Sequence, residues 1–196
     1  MANVNFIIAL SILLILFFTS CNNRQQKAPD TGKVTDTADI LKQGDTITAR
    51  VQKLLLANVM IAMKAGGPGN AVTFCNVHAM PLTDSLAGDY NCRIQRISDK
   101  YRNPANKPSA TDKEVSAKMI SSNVMNPVVI SENGRMVYYK PIKIAMPACL
   151  KCHGSPGKEV DTKTLEIIRQ KYPNDLATGY KEGDFRGLWK ITFLGN

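Results

Sequence analysis

Any fold for this chain has to accommodate the stretch Cys149-Leu150-Lys151-Cys152-His153, which carries its most specific signal. The spacing C-x-x-C-H is the attachment pattern of a c-type haem. The two thiols add across the two vinyl groups of one porphyrin, and the histidine that follows directly can reach the iron from one face. The stretch therefore predicts one covalent haem c, attached through Cys149 and Cys152, with His153 as an iron ligand.

Two other uses of these cysteines are less consistent with the pattern. The spacing is compatible with a zinc site built from Cys75, Cys92, Cys149, Cys152 and a histidine, but the second C-x-x-C of a zinc ribbon is missing. A thioredoxin-like redox pair would follow a βαβ pattern, and none leads into Cys149. Haem attachment is the interpretation that also uses the histidine.

The chain before this stretch predicts two helices. Apolar residues recur at helical spacing across 39–65, and a Gly-Gly-Pro-Gly run at 66–69 is expected to end that helix. Asn70 is then a suitable N-cap for a second helix, which Pro81 would kink or interrupt.

Strand patterns surround the haem motif. Residues 92–98 alternate like a strand, and two further strands are expected on either side of Asn133-Gly134, a hairpin turn signal. A capping-box spacing from Thr111 to Glu114 is expected to open another helix. The two hairpin strands are expected at 128–131 and 136–144. An amphipathic helix is expected at 161–172 and a last strand at 187–194. Helices followed by an antiparallel sheet, with the haem-binding segment inserted, predict an α+β fold.

Three aromatic residues of these strands carry specific expectations. Tyr138 and Tyr139 are adjacent on one strand, so one is expected to face the haem side and the other the solvent. Trp189 is expected to be a core residue rather than a haem contact.

The N-terminus predicts export and a lipid anchor. The apolar run from Phe6 to Phe18 is too short to cross a bilayer and fits the apolar region of a signal peptide. It leads to Cys21, the expected lipidation site of a bacterial lipoprotein. The expected organisation is a signal peptide at 1–20, a flexible tether at 21–37 and one domain at 38–196. Because residues 1–5 contain no Lys or Arg, an uncleaved anchor is the alternative.

The charge of the chain limits the partners. The net charge is +9, but the Lys and Arg residues are scattered without a dense basic run, so nucleic acid is not an expected partner. A basic surface of this kind suits an anionic membrane or an acidic redox partner.

Several motifs together resemble one bacterial family. They are Arg96-Ile97-Ser98, the run from Arg102 to Pro108 (RNPANKP) with Glu114, the haem motif with Gly154, and the run from Tyr172 to Gly187. The set is similar to that of a single-haem c-type domain family with a PAS-like fold. The resemblance therefore implies a PAS-like antiparallel sheet with N-terminal helices. Members of this family occur as stand-alone exported proteins and as the sensor portion of bacterial receptors.

The resemblance also implies a second iron ligand. The family carries an unusual cysteine on a helix upstream of the RNPxNxP loop, and Cys75 takes that place here. His78 is the runner-up ligand, because residues three apart on a helix can face the same side. A methionine, such as Met80, Met125 or Met146, is the ordinary cytochrome solution. Cys92 has no counterpart in the family pattern and is expected to be a small core residue or a free thiol, although a disulfide with Cys75 is the alternative.

Arginines complete the expected cofactor site. Arg96 and Arg102 belong to the family motifs and are candidates to pair with haem propionates, since the guanidinium group suits planar carboxylates. Arg186 is a weaker candidate for the same role.

The ligand set leads to a functional hypothesis. A thiolate donates electron density to the iron, so a His/Cys haem is expected at low reduction potential. That suits a redox or small-gas sensor in which Cys75 leaves the iron and the second helix moves, with a redox partner or a separate signalling protein at the cell envelope. A monohaem electron carrier is the alternative, and an enzyme is not expected. The expected location is the bacterial cell envelope, as a periplasmic or outer-membrane lipoprotein.

Overall fold

The computed structural model of the protein describes residues 36–123 and 125–195. The expected signal peptide, the lipidation site Cys21 and nearly all of the expected tether lie outside these residues. The elements, in chain order, are α1 (Thr37–Asp89), β1 (Cys92–Ile97), a short 3-10 turn (Pro104–Asn106), α2 (Ala110–Ser121), β2 (Val128–Glu132), β3 (Arg135–Lys143), α3 (Pro147–His153), α4 (Thr162–Lys171) and β4 (Phe185–Phe193). None of the helices within the described ranges combines the length and apolarity needed to cross a bilayer.

Helix α1 consists of two arms that meet at a pair of glycines. Gly66 and Gly67 have non-helical backbone angles, and Gly67 has a φ of 74°, which favours glycine. We call residues 37–65 the first arm and residues 68–89 the second arm. The prediction that a helix ends at this glycine run is therefore confirmed.

Two details of α1 differ from the sequence expectation. Asn70 does not cap the second arm; its side-chain amide donates instead to the carbonyl of Ala62, at 2.8 Å, and so satisfies the end of the first arm. Pro81 does not interrupt the second arm, which continues to Asp89 with helical backbone angles. The second arm begins at Pro68, a residue suited to the first turn because it has no N–H to satisfy.

The four strands form one antiparallel sheet in the order β1-β4-β3-β2. The hairpin between β2 and β3 turns at Asn133 and Gly134, which both have positive φ, as a two-residue turn of this type requires. The expected strands and their turn are confirmed. The antiparallel sheet with helices N-terminal to it confirms the α+β fold class.

Helices cover both faces of the sheet. The first arm packs on one face, where Ile47 and Val51 meet Tyr138, Trp189 and their neighbours in one buried cluster. Helix α2 covers the other face with Val115 and Met119, in a second cluster that includes Tyr139.

This two-sided covering corrects the expectation for the tyrosine pair. Tyr138 and Tyr139 do face opposite ways, but both are fully buried, because the face expected to meet solvent is covered by α2. Trp189 is a buried core residue, as predicted.

The start of α2 also differs from the expectation. Its capping box is formed by Ser109 and Asp112, two residues before the predicted Thr111 and Glu114. Asp112 has a second role that the capping pattern alone does not reveal. Its buried carboxylate accepts hydrogen bonds from the Tyr139 hydroxyl, at 2.7 Å, and from the Lys190 ammonium, at 2.8 Å. The cap is therefore fixed by the sheet beneath it.

The C-x-x-C-H stretch forms α3 in the connection between β3 and β4, as the predicted insertion requires. Helix α4 follows and contacts α1. The connection from 144 to 184 therefore lies beside the arms of α1, which is where the candidate site is built.

Candidate functional site

Helix α3 orients the two cysteines of the attachment motif. Pro147 starts the helix, and Cys149 and Cys152 follow three residues apart, so both thiols project from neighbouring turns of one short helix. Both are free thiols. Cys149 packs against an apolar cluster that contains Ile144, and Cys152 packs against a second one that contains Val160. This spacing and the apolar surroundings suit two thioether bonds to one porphyrin.

His153 ends α3 with its ring held in a defined state. Its Nδ1 lies 2.8 Å from the carbonyl oxygen of Ala177. Because a carbonyl can only accept, Nδ1 carries the proton and Nε2 keeps a free lone pair. Burial, followed by the nearby charges of Arg102 and Arg186, lowers the pKa of His153 well below its usual value, against the opposing effect of the Ala177 carbonyl. The imidazole is therefore neutral and able to bind a metal through Nε2.

The segment 175–180 fixes the backbone at this histidine and at the residue that follows it. The Tyr180 amide donates to the His153 carbonyl at 2.9 Å, and the Gly179 amide donates to the Gly154 carbonyl at the same distance. The Tyr180 ring also meets the His153 ring edge-on, with 6.2 Å between centroids. The end of α3 and the segment that supplies its acceptor therefore move as one unit.

Arg102 connects this segment to the attachment helix. Its Nε donates to the Asp175 carboxylate at 2.8 Å, and both side chains are nearly buried. Its Nη2 donates to the carbonyls of Cys152, at 2.7 Å, and Ala177, at 3.2 Å. Arg102 was predicted to pair with a haem propionate, and that role stays a prediction. The structure gives it a clear further role as the link between α3 and 175–177.

Cys75 lies on the second arm, partly buried against the core cluster that contains Trp189. Burial raises the pKa of its thiol, while the charges of Arg96 and then Arg102 act in the opposite direction. The same two arginines also lower the pKa of His153. Cys75 and His153, on different elements, thus share one cationic environment.

Arg96 and Arg186 belong to this environment as well. Burial lowers the pKa of Arg96, with Cys75 and then Tyr172 opposing that effect. Within the described ranges the Arg96 side chain makes no hydrogen bond, although it lies over the Trp189 ring. A half-buried guanidinium without a hydrogen bond, in the same cationic environment as the Cys75 thiol and the His153 imidazole, fits a site that takes an acidic group such as a propionate. Arg186 donates to the Lys100 carbonyl at 3.1 Å, and burial lowers its pKa too.

The structure does not bring His78 into this group. Its exposed ring packs on Phe74, with 5.0 Å between centroids, and lines a shallow groove of about 350 Å³ between the two arms. Met80 is exposed and its sulfur accepts from the Asn103 amide. Met125 precedes β2, and Met146 directly precedes α3.

Cys92 is a buried free thiol in the core, as expected, and no disulfide joins it to Cys75. Cys75 is therefore left with its thiol available to the site. The set of two thiols on α3, a neutral imidazole and a partly buried cysteine fits a covalently attached haem, with His153 and Cys75 as the residues that would hold its iron.

Sequence reasoning missed the residues that support His153. Asp175 and Ala177 lie within the recognised run from Tyr172 to Gly187, yet that run did not reveal what they bind. Asp175 holds Arg102 and also accepts from the Ala177 amide at 3.1 Å. An acidic residue two positions before a carbonyl acceptor is too weak a pattern to identify such a support from the sequence.

Comparison with known proteins gives one structural relative and one family. The solved structure is that of the cyanobacterial heme-protein Tll0287, with a TM-score of 0.62 and 20% sequence identity over 80% of this chain and 96% of that one. No curated protein matches this chain. The model of the Tll0287-like family matches residues 22–193, which include every described residue of the site. The chain therefore belongs to the Tll0287-like family.

Proposed function

We propose that this chain is a haem-binding protein that carries one covalent haem c, exported and anchored at the bacterial cell envelope. The observation that carries the proposal is the state of His153, a neutral imidazole whose Nδ1 is held by Ala177 directly after two thiols with attachment spacing. The structural relative Tll0287 is a heme-protein, which adds support. When bound, a haem supplies a one-electron iron couple and a site for a small ligand.

Within this function we propose a sensor of redox state or of a small gas, at low reduction potential. Cys75 is the residue that supports it, since a thiolate ligand lowers the potential. It also lies on the second arm, which meets the first arm at the non-helical pair Gly66 and Gly67. Release of Cys75 would remove one of the contacts that hold this arm, beside those of the buried Val72 and Ala79, and a separate partner at the envelope would read the resulting movement.

A monohaem electron carrier is the second candidate. The rigid support of His153 by 175–180 favours it, because an unchanged ligand set speeds electron transfer by requiring little rearrangement. We do not propose an enzyme.

The test is the low-temperature EPR spectrum of the ferric protein beside three variants. The matched thiol control is Cys92→Ala, which removes a cysteine from the core, and His78→Ala tests the runner-up ligand. We expect a low-spin signal with the narrow g-spread of thiolate ligation that is lost only in Cys75→Ala. A spectrum of His/Met or bis-His type that is unchanged in Cys75→Ala would reject Cys75 as an iron ligand and favour the electron carrier. Absence of attached haem in the unmodified chain would reject the function itself.

A further inference from the structure

The first arm of α1 presents a continuous face to solvent. Its core face, with Ile40, Ile47 and Val51, is fully buried against the sheet. The opposite side of the helix carries six exposed residues at spacings of three, four or seven, which we call the outer face: Lys42, Ala49, Lys53, Leu56, Met60 and Lys64. Leu56 and Met60 are 37% and 42% exposed although both are apolar.

The lysines of the outer face form a line. Lys42, Lys53 and Lys64 are each separated by eleven residues, close to three full turns, so they lie about 16 Å apart along one side of the helix. Leu56 and Met60 lie between the last two. The outer face therefore alternates cationic and apolar groups over about 33 Å.

Most of the outer face lies on a stretch of α1 that carries cationic side chains and no carboxylate. The sequence contains no Asp or Glu between Asp45 and Asp84, whereas the same stretch contains Arg50, Lys53 and Lys64. Asp45, at the edge of the face, is already neutralised, because its carboxylate accepts from the Lys140 ammonium at 2.6 Å and from the Tyr138 hydroxyl at 2.8 Å. An anion that approaches the outer face meets no opposing carboxylate from residue 46 to the end of the arm.

We infer that the outer face of the first arm docks on an anionic lipid surface. Exposed apolar side chains between lysines on one side of a helix are the features with which a helix lies in a membrane interface. A second copy of the chain is the less favoured occupant, because pairing two outer faces would oppose two rows of lysines. The choice of a membrane rests on the proposed export and anchoring of the chain.

The position of the face agrees with a tether at the N-terminus. The first arm begins at Thr37, sixteen residues after Cys21, so an arm lying flat on the lipid would keep both ends of that stretch near the surface. The sheet packs on the other side of the arm and would face away from the lipid. Tethering also raises the effective concentration of a weakly binding face.

The test uses the full haem-loaded chain with a tryptophan introduced into the outer face by Leu56→Trp. The control is Ile120→Trp, since Ile120 is 53% exposed on α2, across the sheet from the first arm. The probe is a vesicle of phosphatidylglycerol and brominated phosphatidylcholine, because bromine quenches tryptophan within the lipid. We expect quenching of the indole introduced by Leu56→Trp. The Ile120→Trp variant should show no quenching beyond that of the unsubstituted chain, whose Trp189 is buried.

A charge series separates the face from the N-terminal segment. The double variant Lys53→Gln/Lys64→Gln should lower the affinity for phosphatidylglycerol vesicles about five-fold for each lysine removed. It should have no effect on pure phosphatidylcholine. The matched control is Lys113→Gln/Lys118→Gln, two exposed lysines of α2.

Three results would overturn the inference. Sedimentation of the Leu56→Trp variant with vesicles, while its introduced indole stays unquenched, would mean that the N-terminal segment alone holds the membrane. A blue shift of that indole's emission with rising protein concentration, without lipid, would assign the face to a second copy. No sedimentation would reject membrane docking altogether. The haem content of each sample, measured from its absorption spectrum, shows separately whether the proposed haem function stands.

Discussion

The Nδ1 of His153 and the carbonyl oxygen of Ala177 are joined by a hydrogen bond of 2.8 Å, and the same oxygen accepts from Arg102 at 3.2 Å. One acceptor thus serves both the predicted iron ligand and the most connected arginine of the site. Arg102 withdraws electron density from this oxygen, which weakens its bond to the imidazole. The strength of His153 as a ligand is therefore set partly by a residue that does not touch its ring.

Substitution of Arg102 should destabilise the domain. Arg102→Gln removes the partner of the nearly buried Asp175 and the donor to the Cys152 and Ala177 carbonyls. Breaking a buried ion pair from one side costs about 3 kcal/mol in the free energy of unfolding. Guanidinium denaturation of the haem-loaded protein measures this loss.

The matched control for that substitution is Arg135→Gln, an exposed arginine at the start of β3, which should change the free energy of unfolding by less than about 0.5 kcal/mol. Arg102→Lys keeps the charge but loses the two-pronged contact, so we expect it to fall between the two. Equal stability of Arg102→Gln and the unmodified chain would show that the ion pair contributes nothing.

Two glycines of α1 should respond in opposite ways to alanine. A Cβ on Gly44 would lie 2.3 Å from the Tyr138 ring, which is fully buried and held through its hydroxyl by Asp45. Gly44→Ala should therefore destabilise the protein by about 1–3 kcal/mol. Gly88 has open space around it, so Gly88→Ala should stabilise the helix by about 0.5–1 kcal/mol. Thermal unfolding of both variants checks the pair, and a shift of the same sign in both would contradict the packing of α1 on the sheet.

Asp112 should make stability depend on pH in the acid range. Burial acts to raise the pKa of Asp112, but its hydrogen bonds from Lys190, Ser109 and Tyr139 outweigh this and lower it below its usual 3.8. A lowered pKa stabilises the folded state fully above pH 3.8, and the contribution is lost as the pH falls through the folded-state value.

Asp112→Asn removes that contribution and leaves the Lys190 ammonium buried beside Glu132 alone. We expect a cost of about 3 kcal/mol at neutral pH. The difference in denaturation midpoint between the variant and the unmodified chain should shrink as the pH falls below 3.8. A difference that stays constant down to the acid limit would mean that Asp112 does not carry the effect.

The fold was largely predictable because its signals are local. Asn133-Gly134 defines the hairpin, and the glycine run at 66–69 ends the first arm, since both rest on backbone angles that few residues adopt. The capping box at Ser109 was missed by two residues. Both Ser109 and Thr111 begin a pattern with an acidic residue three positions later, and the contact of Asp112 with Tyr139 and Lys190 decides between them.

For the site, the sequence predicted which residue types would bind a haem but not the contacts that hold them in place. The attachment motif identifies Cys149, Cys152 and His153 from spacing alone. The contact between Arg102 and Asp175 joins residues 73 positions apart, which no local pattern encodes. The prediction of Cys75 as an iron ligand depended on a family resemblance. The sequence around a single cysteine on a helix does not show whether its thiol binds a metal, because that depends on neighbours from other elements.

The four described cysteines should differ in alkylation. Burial raises the pKa of Cys92 to about 11, so at pH 8 only about one thiol in a thousand is ionised, and its side chain is buried. Iodoacetamide should leave Cys92 unmodified in the native protein. In guanidinium, Cys75 and Cys92 should react while Cys149 and Cys152 do not, because the proposed haem attachment would place the sulfurs of Cys149 and Cys152 in thioether bonds. Mass spectrometry of the peptides gives the answer, and labelling of Cys149 and Cys152 would contradict covalent attachment.

The support of His153 should be visible in the reduction potential. Asp175→Asn removes the charge that holds Arg102, and Arg102→Gln removes the donor that competes for the Ala177 carbonyl. Loss of that donor strengthens the bond from His153 Nδ1 to Ala177, and loss of a nearby positive charge disfavours the added electron, so both effects of Arg102→Gln lower the potential. By the same charge argument, Asp175→Asn removes a negative charge and should raise the potential, so the double variant should lie between the two single variants. Spectroelectrochemical titration measures this, with Arg135→Gln as the control. A rise in Arg102→Gln would show that Arg102 does not act on His153 through Ala177.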